Sequence, residues 1–250
     1  MQPRLLLLYA LALIAIVLAI ALPPIAQDPK YHNFADQREW WRVPFFWNVL
    51  SNLPFVLAGL YGVRIWPAAK WDQRGDRWPW LIVACASILI GFGSGYYHWS
   101  PNNTTLFWDR LPMTLFFTAI FCAAIAERIH ARVGLLLLAP FLALGVFSVE
   151  VWRRGELTGV GDLRFYALVQ FYPMIALPAI LLLYRSRYSH ANMLWHVIGY
   201  YVLAKLAEGY DRKVFAASGY LMSGHAIKHM LGAWAVFVAM RMLKLRRPLQ

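Results

Sequence analysis

Long apolar runs, separated by short clusters of charged residues, proline and glycine, organise this chain. They fall at about 5–25, 45–66, 79–97, 111–126, 133–150, 165–184, 192–208 and 219–240. Each approaches the ~20 residues that carry an α-helix across a bilayer, allowing for tilt. The pattern predicts an all-α, polytopic membrane helical bundle with about eight spans. The first run, behind Pro3 and Arg4, has the basic start of a signal peptide, but its length and the lack of a small-residue cleavage pattern predict a retained anchor. No low-complexity tract and no long linker divides the chain, so the runs read as one bundle.

Composition agrees with a lipid solvent. Of the 250 residues, 60% are hydrophobic and 14% charged, more apolar surface than a water-soluble domain of this length needs for its core. The twelve Trp and thirteen Tyr suit the two membrane interfaces, where one edge of the ring is wet. A net charge of +12 raises the question of nucleic acid, yet Lys and Arg sit in short loops and form no continuous basic face, so no nucleic-acid partner is expected. Eight spans place both termini on one side. Thirteen Lys and Arg lie in the loops of that side and nine in the loops opposite, with Lys205 and Lys228 inside spans. The positive-inside rule then predicts cytoplasmic termini. Cys85 and Cys122 both fall within apolar runs and offer neither a disulfide framework nor a thiolate metal site.

Ionisable side chains inside spans are costly and call for a partner or a function. The third span ends with Ser94 and His98 four residues apart on one helix face, Asp109 opens the fourth, and the eighth begins with His225 and His229 at the same spacing. Two imidazoles one turn apart can share a metal ion, although His-x-x-x-His alone also describes a packed, hydrogen-bonded pair. The alternation of spans brings the outward end of the third to the inward starts of the fourth and eighth. Three nitrogen ligands from two helices would leave a fourth position open, as in catalytic zinc sites. The competing reading is a polar helix contact in which Ser94 bonds its own helix backbone and Asp109 caps a helix. Lys205 and Glu208, three residues apart, read as an ion pair. Lys228 is expected off the shared histidine face, where Glu208, Glu150 or a lipid phosphate could meet it, and His32 and His130 in solvated loops.

Ser94-x-x-x-His98, Asp109 in an Asp-x-Leu-Pro-Met context, and His225-x-x-x-His229 together resemble the alkaline ceramidase family, part of a superfamily of membrane hydrolases that includes the adiponectin receptors. Phe46-Trp47-Asn48-x-x-Ser51-Asn52 is similar to the start of that family's first core helix, and Tyr31-His32-x-Phe34-Ala35-Asp36-x-Arg38 looks like its bacterial members. The resemblance implies a membrane anchor at 1–28 and a seven-helix domain at 29–250, zinc as cofactor held by His98, His225 and His229, and hydrolysis of a lipid amide such as ceramide. Asp109 would be the general base and Ser94 its orienting neighbour or an oxyanion donor. The partner is a membrane lipid substrate, and the implied location is a bacterial inner membrane. A family calcium site ahead of the first core helix is not carried over, because Phe45 stands where a Glu would be needed. A metal-pinned receptor or scaffold is the leading alternative; a small transporter using Lys205, Glu208 and Lys228 is weakened by the lack of an internal repeat.

With the termini cytoplasmic, a single cysteine at Asn102 should react with an impermeant maleimide on intact cells while one at Lys244 stays protected. The reverse labelling pattern would invert the topology.

Overall fold

The computed structural model describes residues 3–249, and every apolar run contains helix. α1 spans Pro3–Ala21, and an extended segment with one 3-10 turn at Pro29–His32 leads to α2 (Phe46–Leu50) and α3 (Leu53–Ile65). α4 (Arg77–Trp99), α5 (Asn103–Arg128), α6 (Ala131–Leu157) and α7 (Arg164–Leu183) follow. α8 (Met193–Gly209), the short α9 (Asp211–Ala217) and α10 (Gly224–Leu245) complete the chain. Among the described residues, seven helical stretches are long and apolar enough to cross a membrane. α8, with 17 residues, is about 25 Å long at 1.5 Å per residue, slightly less than a ~30 Å hydrocarbon core. The eight runs therefore comprise seven full-length stretches and this shorter one.

α5 is the central post: α4, α6 and α7 pack around it, and α3 joins α4 to the α8–α10 pair. Buried residues make up 78% of its most apolar stretch and none of α1's, which lies against α7. Outward faces are greasy, with Leu136 and Leu182 each 75% exposed, as lipid-facing side chains must be. Between lipid-solvated helices close approach relies on small residues. A Cβ on Gly91 would overlap Val56 of α3, one on Gly93 the backbone of Trp108 in α5, and one on Gly224 the Ala207 carbonyl of α8.

At the end of the bundle carrying both termini, charges counted in the sequence as loop residues are buried. Arg246 pairs with Glu127, which also accepts a 2.6 Å hydrogen bond from the Trp80 indole, and the guanidinium lies 4.0 Å from the Tyr188 ring centre. Asp76 accepts from Arg187 and from the Tyr188 hydroxyl. These contacts fasten the 184–190 loop and the C-terminal tail to α4 and α5. Glu127→Ala leaves Arg246 buried without its carboxylate and should cost about 3–5 kcal/mol in mixed-micelle unfolding. The Glu127→Ala/Arg246→Met pair should recover much of that loss; a double variant as unstable as the single one would show that the ion pair is not the cause.

Candidate metal centre

The site lies at the opposite end of the bundle and is assembled by three interruptions in helix. Pro101 disfavours helical backbone at Ser100, so α4 stops just after His98. Asn102 then caps α5 by accepting from the Thr104 and Thr105 amides, with the Thr105 hydroxyl returning to the Asn102 amide. This tight reversal, with the close approach of Gly93 to Trp108, sets Ser94 of α4 beside the Asp109 carboxyl of α5. In the second interruption Pro54, at the start of α3, cannot donate into a continuous α2–α3 helix, and the resulting break presents Ser51 and Asn52 inward. The third is the start of α10, where the Ser223 hydroxyl accepts from the Ala226 amide at 3.1 Å and Asp211 accepts from the His225 amide at 2.8 Å. Both oxygens satisfy first-turn donors that no helix bond can reach.

His98, His225 and His229 are all buried, and their candidate ligand atoms lie within 4.8 Å of one another. The Nε2 atoms of His98 and His225 are 3.2 Å apart. Ring centres are separated by 4.8 to 4.9 Å in all three pairs. Nδ1 of His229 lies 2.8 Å from Ser51 Oγ, and the Ser51 hydroxyl is itself 3.2 Å from the Asn48 carbonyl. With its proton on Asn48, the serine accepts from Nδ1–H and leaves the Nε2 lone pair of His229 free toward its neighbours. Nδ1 of His98 is buried without a hydrogen-bond partner among the described residues.

Several participants stood in motifs that resemble the family, but nothing in the sequence assigned them to the histidine cluster. Phe34, in the segment before α2, packs its ring against His98 and His225 at 4.7 and 4.6 Å between centres. That segment is tied down as a strap. The Ala35 amide donates to Asp211, Asn48 donates to the Asp36 carbonyl, Gln27 donates to Glu156 from its backbone, and Arg110 donates to the Gln27 side chain. The Asp36 carboxylate is taken by Arg38 at 2.6 Å. Arg110 is buried against Trp152 and Tyr166, 4.2 and 4.7 Å from their ring centres.

Two expectations about charged and polar neighbours change. Lys228 meets Glu208, one of its expected partners, with Nζ 2.8 Å from Oε1, but it also reaches back to the histidines, 3.1 Å from His225 Nε2. A four-carbon stem reaches around the helix further than its Cβ direction suggests. Glu208 also pairs with Lys205 as expected, so one carboxylate holds two ammonium groups. His32 is not solvated either, since its two nitrogens meet the Tyr97 hydroxyl at 2.9 Å and Asn103 Oδ1 at 3.0 Å. His130 is exposed. Beside the histidines a cleft of about 400 Å³ opens between Tyr31, Phe34, Glu208, Asp211 and His225.

A protein-family model described as Ceramidase matches residues 43–249, from the approach to α2 through the C-terminal tail. The chain belongs to the ceramidase family. Membership makes it a lipid amide hydrolase, cleaving a linear C–N bond. The match excludes α1 and most of the strap that carries Phe34. No curated protein matches the chain.

Three buried imidazoles in this ceramidase-family bundle suit a metal ion with nitrogen preference. Zn–N bonds of 2.0–2.1 Å at tetrahedral angles place neighbouring ligand nitrogens ~3.3 Å apart, close to the 3.2 Å between His98 and His225. Lys228 shares that nitrogen, so metal binding requires its ammonium to rest on Glu208, which already holds it. Hydrogen bonds that fix ligand histidines typically contribute 10–100-fold in affinity. Ser51→Ala should therefore weaken metal retention by about that factor in a chelator competition, and unchanged retention would remove Ser51 from the site.

Proposed function

We propose that this protein is a zinc-dependent ceramidase of the cell membrane, with both termini cytoplasmic and with α1 as an anchor outside the seven-helix domain at 29–250. The observation that carries the zinc reading is the burial of three imidazoles within 4.8 Å of one another in a chain whose family cleaves lipid amides. Their Nε2 atoms would hold the metal, and zinc held there supplies Lewis acidity toward a carbonyl and toward water.

The chain's own residues account for the rest of the reaction. Asp109, buried and next to Ser94, would take a proton from the attacking water and return it to the nitrogen of the leaving amine. The products are a fatty acid and an amine, and the carboxylate ends as it began. Ser94 orients Asp109 or donates a hydrogen bond to the oxygen that gains charge at the carbonyl. Phe34 covers the imidazoles and keeps bulk water from the polar cluster. Trp99 and Trp108, about half exposed at the ends of α4 and α5 nearest the site, suit acyl chains arriving sideways from lipid, while the cleft at Glu208 and Asp211 suits a polar headgroup.

Elemental analysis of purified protein should give near one zinc per chain, and the His225→Ala/His229→Ala variant should have lost it; equal metal in both would end the ligand assignment. Asp109→Asn should keep the metal yet release fatty acid from ceramide about 100 to 10,000-fold more slowly. Wild-type rates in that variant would exclude Asp109 as the base. A wild type that holds zinc but cleaves neither ceramides nor other N-acyl lipids would favour a receptor or scaffold.

A further inference from the structure

The end of the bundle remote from the histidines carries a second site with different chemistry. A cleft of about 810 Å³ opens where α1 begins, α5 and α7 end, and the 184–192 loop meets the C-terminal tail. It is ~28 Å along α5 from Asp109, at 1.5 Å per residue over the nineteen positions to Arg128. Arg4, Arg128 and Arg185 line it, and among the described residues no carboxylate does.

The acids of this end are committed elsewhere. Asp72 and Asp76 hold Arg187, and Glu127 holds Arg246, while Arg4, Arg128 and Arg185 have no ion pair among the described residues. Arg128 spends one nitrogen on the Tyr184 carbonyl at 2.7 Å. Its Nε and the Tyr184 hydroxyl are buried without hydrogen-bond partners among the described residues. Buried donors of this kind cost free energy until an acceptor arrives. The Arg4 guanidinium lies 6.0 Å from the centre of the same tyrosine ring. The other wall of the cleft is apolar, with Leu182 and Leu249 largely exposed.

We propose that this cleft binds the phosphate headgroup of an anionic phospholipid. The guanidiniums of Arg4, Arg128 and Arg185 meet the phosphate oxygens, and the acyl chains run down the outward faces of α1 and α7. Arginine suits this role because its planar fork donates two hydrogen bonds to one phosphate. Commitment to a lipid over a soluble phosphate follows from the position of the cleft beside α1, which has no buried residue and presents bare leucine and isoleucine along its length. Basic pockets at the ends of membrane helices recognise such headgroups by general electrostatics. The site does not depend on the identity of the amide substrate or the metal.

The test is native mass spectrometry of the protein in neutral detergent with three probes: dioleoyl phosphatidylglycerol, dioleoyl phosphatidylcholine and chain-free glycerol phosphate. The anionic lipid should bind at least about tenfold more tightly than its zwitterionic counterpart, and glycerol phosphate should not compete. Arg4→Gln/Arg185→Gln removes two charges that make no hydrogen bond among the described residues, so the fold is expected to survive. That variant should bind the anionic lipid about 25-fold more weakly, at roughly fivefold per arginine near an anionic surface. Its hydrolytic rate in neutral detergent should be unchanged. Equal affinity for the two lipids, competition by glycerol phosphate, or wild-type lipid binding by the double variant would each overturn the proposal.

Discussion

Three imidazoles in the low-dielectric interior of a helical bundle must find partners, because a buried polar group without one costs about 1–3 kcal/mol. Here they face one another from α4 and α10, with His98 and His225 at 3.2 Å. That requirement explains the local architecture around them. α4 must stop just after His98, α10 must start just before His225, and both ends must reach the same depth. Gly93 and Gly224 let the neighbouring helices come close enough, and Ser51 gives Nδ1 of His229 a hydrogen-bond partner at 2.8 Å. A metal ion completes such a set by using lone pairs that otherwise repel or compete for a single proton.

The strap before α2 closes this arrangement from the water side. Its backbone is held by Asp211, the first residue of α9, and by Glu156 near the end of α6, so the cover is tied directly to helix ends around the site. Asp211 links the two most directly, accepting from Ala35 in the strap and from His225 in the site. Lys228 and Glu208 add a polar rim between the cluster and the cleft. The substrate amide would meet a site dry on the Phe34 side and charged on the Glu208 side, which suits a lipid with an apolar acyl group and a polar head.

Charge is sorted along the bundle axis. At the end with both termini, Glu127 and Asp76 are buried and committed to Arg246 and Arg187. These pairs fasten loop and tail, and the three arginines that line the cleft, Arg4, Arg128 and Arg185, are without an acid among the described residues. The excess of Lys and Arg over acid in the loops of this end thus separates into a buried, ion-paired part and a part without acid partners among the described residues.

Hydropathy by itself determined the helical runs, and four-residue spacing placed Ser94 with His98 and His225 with His229, since both are local properties of a chain whose solvent is lipid. Span alternation was enough to expect these pairs near Asp109. Tertiary structure alone decided which distant atoms complete the cluster. Ser51 is 178 positions from His229, and no local periodicity links them. Phe34 lies in a segment without a hydrophobic pattern, and its place over the histidines follows from the hydrogen bonds of the strap. Lys228 reaches His225 because a long flexible side chain takes its direction from Glu208, a residue of another helix. Arg246, read as a loop charge, is buried because Glu127 offers a carboxylate inside the bundle. Local sequence sets where a helix begins and which residues share its face, while the partner of a long polar side chain depends on which helices meet.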